Sequence, residues 1–166
     1  MTFDDIIAAL SKEMGAEIEV EGGFCAVRTA TGHQTPGANH QASGVTILMQ
    51  NLEGRDEMLT TADLGEMPPE SLERLYRMML EANDLFRDTG GATLSISPDT
   101  GHVRLQRHDP FDALAEKGPA NALMDFANVA ETWAGLVRDY RDAPQESAAE
   151  ETDFVIGQSN FFGFQV

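Results

Sequence analysis

Four histidines are the residues of this chain best suited to bind a metal ion. His33 and His40 fall in a polar stretch, and His102 and His108 fall on the polar face of a predicted strand. None of them forms the pair four residues apart on a helix that zinc sites favour. The pattern is typical of surface histidines, and we expect no metal site.

Catalysis by a nucleophile or by paired carboxylates is also disfavoured. Cys25 would need a base folded beside it, and a small half-buried residue in a strand is the more common role. The acid clusters Asp4-Asp5, Glu17 to Glu21 and Glu150-Glu151 fall on predicted solvent faces without a converging partner. We therefore expect no catalytic residue and interpret the chain as a non-enzyme.

Nucleotide-driven chemistry is excluded by the placement of lysine and glycine. The only lysines, Lys12 and Lys117, follow serine and glutamate rather than the glycine of a Walker-type loop. Gly90-Gly91 lacks the other glycines of a dinucleotide fingerprint and precedes a predicted strand, so we interpret it as a turn. No cofactor is expected.

Composition limits the possible partners. The net charge of −17, from 28 acids and 11 bases, repels nucleic acid and anionic lipid. No apolar run approaches the roughly 18 residues of a membrane span, so no membrane insertion is expected. The acids at Asp4-Asp5 argue against a secretory signal, and a single cysteine cannot form an internal disulfide. We predict a cytoplasmic location.

The first predicted element is a short amphipathic helix. Thr2 followed by Asp5 forms a capping box, and Gly15 ends the helix. The apolar residues at helical spacing are Phe3, Ile6, Ile7, Leu10 and Met14.

Three strands are predicted next. Acids alternate with apolar residues from Glu17 to Glu21, and a Gly-Gly turn leads into Phe24 to Val27, so the first sheet residues are expected here. Val45 to Leu52 and Met58 to Leu64 predict a hairpin. The stretch Thr31 to Gly44 has almost no bulky apolar residue and is predicted to be an exposed, mobile loop.

A second helix is predicted after Pro68-Pro69, because proline is preferred in the first helical turn. Its apolar stripe consists of Leu72, Leu75, Tyr76, Met79 and Leu80, and Met78 and Leu85 widen it. This surface is wider than one core face requires, so we expect two buried faces.

A second hairpin and a third helix complete the pattern. Ala92 to Ser97 and Val103 to Leu105 alternate around the turn Pro98 to Gly101, and a helix with one apolar stripe runs from Pro119 to Tyr140. The order α-β-β-β-α-β-β-α predicts an α+β fold, with a mainly antiparallel sheet and helices packed on one face. We assign residues 1–142 to this domain and 143–166 to an acidic linker and an aromatic tail.

The second hairpin and the helix after it resemble those of a known family. The stretch from Thr89 to Arg107, TGGATLSISPDTGHVRLQR, is similar to the second hairpin of class I type III secretion chaperones, the Tir chaperone (CesT) family. Phe126, Asn128 to Glu131 and Trp133 resemble the helix that follows it there. The resemblance is strongest from about Leu72 to Arg141.

This resemblance implies a small acidic cytoplasmic homodimer. Such a protein holds an extended N-terminal segment of a secreted effector and keeps it export-competent without hydrolysing ATP. The implied dimer-interface candidates are Leu75, Tyr76, Met78 and Met79. The implied effector-binding candidates are Phe3, Ile6, Ile7 and Leu10. Binding would combine strand addition to a sheet edge with apolar anchors in pockets.

Several alternatives stay open from the sequence. Each apolar stripe at helical spacing also suits a core role. A protein-binding adaptor or regulatory module of the same fold, unrelated to secretion, is the alternative function. The tail Phe154 to Val166 is either disordered or docks as a pseudo-ligand on its own or a neighbour's groove.

Overall fold

The computed structural model describes residues 1–29, 44–68 and 72–142, which form four α-helices and one five-stranded sheet. The elements in chain order are α1 (Phe3–Met14), β1 (Phe24–Arg28), β2 (Thr46–Leu52), β3 (Glu57–Glu66), α2 (Leu72–Asn83), β4 (Thr93–Ile96), β5 (His102–Pro110), α3 (Phe111–Lys117) and α4 (Pro119–Asp142). A single 3₁₀ turn, Asp84–Phe86, follows α2.

The sheet is antiparallel throughout, with strand order β1-β2-β3-β5-β4. Strands β1 and β4 are therefore the two edges. Side chains alternate across the sheet, and one face carries the buried residues Cys25, Met49, Thr60 and Leu105. The predicted α+β class and antiparallel sheet are confirmed.

Helix α1 begins and ends where the sequence predicts. The backbone N–H of Asp5 donates to the Thr2 hydroxyl at 3.2 Å, and the Thr2 N–H donates back to the Asp5 carboxylate at 2.8 Å. The bond from the Thr2 N–H, followed by the interaction of the Thr2 hydroxyl with the same carboxylate, stabilises the ionised form and lowers the pKa of Asp5. Gly15 takes the left-handed conformation, φ 65°, that ends the helix.

Helix α4 is the main packing helix. Phe126, Ala130, Trp133 and Val137 form its buried stripe. At a bulge in β3, a Val137 methyl group lies 3.8 Å from where a Cβ on Gly65 would be, so α4 approaches the backbone of the sheet closely. The predicted third helix is confirmed in its position and in its buried face.

One local prediction was wrong. The segment from Glu17 to Val20 is not a strand, and only an isolated bridge pairs Glu21 with Phe24 before β1 begins. Among the residues that the structure describes, no strand pairs with Ile18 or Val20, and a strand needs a pairing partner as well as an alternating pattern.

The extra helix α3 was missed. Strand β5 ends at Pro110, and the N–H of Phe111 donates to the Asp56 carbonyl at 2.9 Å. Phe111 and Leu114, three residues apart, are both buried on the same side of α3, and Gly118 ends the helix. Two apolar residues at helical spacing, between Pro110 and Gly118, were the sequence pattern that could have predicted this helix.

The predicted mobile loop Thr31 to Gly44 lies almost wholly outside the described residues, as do the acidic linker and the tail over 143–166. The domain boundary after residue 142 stays a prediction. Among the described residues, no helix is both long enough and apolar enough to cross a membrane.

Candidate protein-binding surfaces

A wide groove lies on the sheet face that turns away from the buried residues. Its volume is about 860 Å³. Strands β1, β2, β3 and β5 and the C-terminal part of α4 contribute to its lining. We call it the sheet groove, and its lining includes Phe24, Leu48, Gln50, Leu59, Thr61, Asp63, His102, Arg104, Gln106, Arg138 and Arg141.

The floor of the sheet groove is apolar at one end. Phe24 on β1 and Leu48 on β2 are each about half exposed, although both are large hydrophobic side chains. Leu59 lies opposite Gln50 in the β2–β3 register and adds a third apolar side chain. Exposed apolar side chains grouped in a concavity are typical of a binding surface.

The other end of the groove is basic, in a chain of net charge −17. Arg104 on β5 and Arg138 on α4 are partly buried there, and no ion-pair partner of either lies among the described residues. Arg141 pairs with its neighbour Asp142 at 3.0 Å. Asp63 accepts a hydrogen bond from His102 at 2.9 Å. The groove therefore combines an apolar floor with a basic rim.

The two sheet edges differ in how far they are already occupied. The Asn83 side chain at the end of α2 accepts from the Leu94 N–H at 2.8 Å and donates to the Leu94 carbonyl at 3.0 Å. These bonds occupy outward-facing backbone groups of β4. Within the described ranges, no strand pairs with the outer edge of β1, but the C=O and N–H of Phe24 already bond to Glu21 at 2.9 and 3.0 Å. Strand addition is therefore hindered at β4 and at Phe24, and the part of β1 that can accept it is Ala26–Arg28.

Helix α2 carries an apolar face that does not contact the core. Leu72, Tyr76 and Leu80 lie along this face, and we call them the α2 surface. Leu80 is 71% exposed. Leu85 and Phe86 follow with exposed side chains and left-handed backbones, φ 55° and 53°. That conformation costs roughly 1–2 kcal/mol per non-glycine residue, so this segment is strained as well as apolar.

The four predicted dimer-interface residues divide between the core and the surface. Leu75 and Met79 are buried in the core. Met78 is partly buried, and its sulfur accepts a hydrogen bond from the Tyr140 hydroxyl at 3.1 Å. Tyr76 is exposed on the α2 surface. The interface assignment stays a prediction, and the exposed positions of α2 are the ones free to carry it.

The four predicted effector-binding residues are all buried. Phe3, Ile6, Ile7 and Leu10 pack in the hydrophobic core, and none of them lines the sheet groove. Their role in effector binding stays a prediction. The apolar stripe at helical spacing could not distinguish a buried face from a binding face, because both need the same residues.

The groove residues could not be identified from the sequence. Arg104, Arg138 and Phe24 are far apart in the chain, and no local pattern links them. The sequence did show that basic residues are scarce, which made each arginine a candidate binding residue. The structure brings three of the nine arginines to this one groove.

The metal-ligand candidates within the described residues do not converge on one site. No group of three or more His, Cys, Asp or Glu in residues 1–29, 44–68 and 72–142 could hold a metal ion. His108 lies 3.7 Å from Glu57 across the β3–β5 pair. His33 and His40 fall outside the described residues.

Cys25 is expected to react slowly with thiol reagents in the native protein. Its side chain points into the core, and desolvation by burial raises the pKa of the thiol from 9.0 to about 11. At pH 8 the thiolate fraction is then about a hundredfold below that of an unshifted thiol. Colorimetric titration with an aromatic disulfide should show slow native reaction, which speeds up as the pH approaches 11, and full reaction after unfolding in guanidinium.

The neighbouring position gives the control for this measurement. Ala26 is exposed on the opposite face of β1, so an Ala26→Cys substitution in a Cys25→Ala background should react at once in the native protein. Equal rates for native and unfolded Cys25 would contradict the burial argument.

Comparison with known proteins gives a family match and three similar folds. Residues 40–134, more than half of the chain, match the family model described as Tir chaperone protein (CesT) family. No curated protein sequence matches the chain significantly.

Three solved structures share the fold at low sequence identity. The ExsC-ExsE complex matches with TM-score 0.58 and 17% identity, over 81% of this chain and 92% of that chain. The HopA1-SchA chaperone-effector complex matches with TM-score 0.56 and 13% identity, over 85% and 94%. The ExoU-SpcU heterodimer from the type III secretion system of Pseudomonas aeruginosa matches with TM-score 0.52 and 17% identity, over 80% and 97%.

Proposed function

The chain belongs to the Tir chaperone protein (CesT) family, and on this basis we propose that it is a type III secretion chaperone in the cytoplasm. It binds an extended N-terminal segment of a secreted effector and keeps that segment export-competent. The observation that carries this proposal is the sheet groove, whose apolar floor adjoins β1, an edge strand that no described strand pairs with beyond Phe24. A groove joined to a sheet edge suits a stretched polypeptide better than a compact ligand.

The binding step combines backbone pairing with side-chain anchoring. An effector segment adds to the edge of β1 as a further strand, and its N–H and C=O groups pair with those of Ala26 and Arg28, since Phe24 is already bonded to Glu21. Every second side chain of that segment then points to the groove face, where Phe24 and Leu48 provide apolar contacts. Arg104 and Arg138 favour acidic side chains at the far end.

No chemical step is needed for this function. Pairing a strand and burying apolar anchors holds the effector segment extended, and the free energy of binding is sufficient without ATP hydrolysis. The net charge of −17 keeps a protein with exposed apolar surfaces soluble. We therefore propose a binding protein rather than an enzyme.

The α2 surface supports a homodimer. Leu72, Tyr76 and Leu80 form an exposed apolar row on one helix, and a two-fold axis would place two such rows against each other. The strained Leu85 and Phe86 lie at the end of the same helix, and burial against a partner would offset the cost of their backbone conformation.

Substitution of the groove floor tests the function. The double variant Phe24→Ser, Leu48→Ser should lower the affinity for the effector segment by at least about tenfold, because each large anchor contributes about 1.5–3 kcal/mol when buried. Both side chains are half exposed on the outer face, so the fold should persist. The partner is captured from the native host with the full chain, and cross-linking with mass spectrometry locates the bound segment.

A matched control is Met124→Ser on α4, a side chain that is exposed outside the sheet groove. This variant should retain the partner. Cross-links that fall on a folded cytosolic protein, or equal capture by both variants, would contradict the chaperone proposal. A cytosolic partner would instead support an adaptor or regulatory role.

A further inference from the structure

The last 24 residues of the sequence have an unusual composition for a linker. They carry the acids Glu146, Glu150, Glu151 and Asp153 and no Lys, Arg or His. They also carry four of the nine phenylalanines, at Phe154, Phe161, Phe162 and Phe164. An acidic stretch is thus followed by an aromatic one, whereas disordered linkers are poor in aromatic residues.

The tail begins beside the sheet groove. Helix α4 ends at Asp142, and the residues of its last turns that line the groove are Arg138 and Arg141. The first residue of the tail is therefore attached at the basic end of the groove. Any segment that follows is held near this surface at an effective concentration in the millimolar range.

Charge favours the groove over the rest of the surface. The tail contributes −4 to a total of −17, which leaves −13 for residues 1–142. An acidic segment is repelled by most of this body, but the partly buried Arg104 and Arg138 have no ion-pair partner among the described residues. The basic rim is therefore the local exception, and it lies where the tail starts.

The order of acidic and aromatic residues along the tail matches the order of basic and apolar side chains along the groove. Moving away from Arg141, the tail presents acids first and phenylalanines next. The groove presents arginines near α4 and the apolar Phe24 and Leu48 on the far strands. A tail that crosses the groove in this direction therefore places its acids beside the arginines and its phenylalanines beside Phe24 and Leu48.

The linker is long enough for this arrangement. Residues 143–153 span up to about 36 Å when extended, at roughly 3.3 Å per residue. Strands β5 to β1 span three strand spacings of about 4.8 Å, or about 14 Å across the groove. The phenylalanines can therefore reach the groove floor of the same chain.

We propose that Phe154–Val166 docks in the sheet groove of its own chain and that an incoming effector segment must displace it. This inference rests on the proposed function, because it assigns regulation to the same groove. The docked tail shields the apolar floor while no effector is present. Because a ligand can bind only while the groove is free, its apparent affinity falls in proportion to the fraction of time that the groove is free.

The decisive experiment uses full-length chains and a defined peptide. A variant with Phe154, Phe161, Phe162 and Phe164 all changed to Ser should bind a synthetic peptide of residues 150–166 at least about tenfold more tightly than the unmodified chain, because the variant's own tail no longer competes. In nuclear magnetic resonance spectra, the amides of Leu48, Thr61 and Gln106 should shift between the two proteins. The same amides should shift back when the peptide is added to the variant.

Charge reversal provides a second, independent readout. Arg138→Glu in the full chain should produce the same amide shifts as the tail variant, and adding Glu150→Arg and Glu151→Arg should restore the docked spectrum. The control Arg77→Glu reverses an exposed charge on α2, outside the groove, and should change none of these amides.

Three outcomes would overturn the inference. One is equal peptide affinity in the variant and the unmodified chain, and another is no peptide binding to the variant. The third is docking in a neighbouring copy, which mixed samples of spin-labelled and isotope-labelled chains would reveal as broadening between chains. None of these results affects the proposed function, which is tested separately by effector capture with the Phe24→Ser, Leu48→Ser variant and by the identity of the cross-linked partner.

Discussion

Replacing Leu80 with glutamate is expected to convert the proposed homodimer to a folded monomer. Leu80 is 71% exposed in the single chain, so the substitution costs the monomer little. A two-fold interface loses two leucine contacts, each about 1.5–3 kcal/mol. The dissociation constant should therefore rise by about 10²- to 10⁴-fold, before the cost of burying two carboxylates is added.

Light scattering after size exclusion measures this effect over a range of protein concentrations. Met124→Glu is the matched control, because Met124 is a similarly exposed apolar residue, at 61%, on α4 rather than α2. The control should stay dimeric with the unfolding midpoint of the unmodified chain, and the Leu80→Glu variant should still unfold cooperatively as a folded monomer. A monomeric unmodified chain, or a dimeric Leu80→Glu variant, would rule out the α2 surface as the interface.

Removing the carboxylate of Asp109 is expected to lower the free energy of unfolding by about 3 kcal/mol. Asp109 lies 2.8 Å from Arg107 Nε, and the two side chains are only 16% and 10% exposed. Arg107 also donates to the Ala122 carbonyl at 2.9 Å and lies 5.3 Å from the centroid of the Phe126 ring. Asp109→Ala would leave a guanidinium largely out of water without its counter-ion, at the junction of β5 with α4.

Denaturant unfolding monitored by Trp133 fluorescence measures the change. Glu81→Ala breaks the Arg77–Glu81 pair, whose 2.8 Å distance is the same but whose side chains are mainly exposed, so no measurable change is expected. The double variant Arg107→Met, Asp109→Ala should recover part of the loss, because no buried charge remains. Equal effects of Asp109→Ala and Glu81→Ala would show that burial does not strengthen the ion pair.

The local signals in the sequence predicted most of the fold. Thr2, Asp5 and Gly15 set both ends of α1, because capping depends on residues within one helical turn. The turn at Pro98 to Gly101 set the β4–β5 hairpin, whose register pairs Leu94 with Leu105. The failures were Glu17 to Val20, with which no strand of the described ranges pairs, and α3, whose two apolar residues made a weak signal.

The binding surfaces could not be predicted in the same way. On α2 the sequence placed Leu75, Tyr76, Met79 and Leu80 on one stripe. The structure buries Leu75 and Met79 and exposes Tyr76 and Leu80. Helical spacing determines which residues share a face, but contacts with distant elements decide which part of that face meets the core.

The sequence by itself determined the class of fold, the antiparallel hairpins and the strong negative charge. These follow from spacing, turn residues and composition, which act over a few residues or over the whole chain. The tertiary structure alone decided that Arg104 and Arg138 border one groove with Phe24, and that Asn83 occupies the edge of β4 while no described strand pairs with the edge of β1 beyond Phe24. These arrangements join residues far apart in the chain, and only packing brings them together.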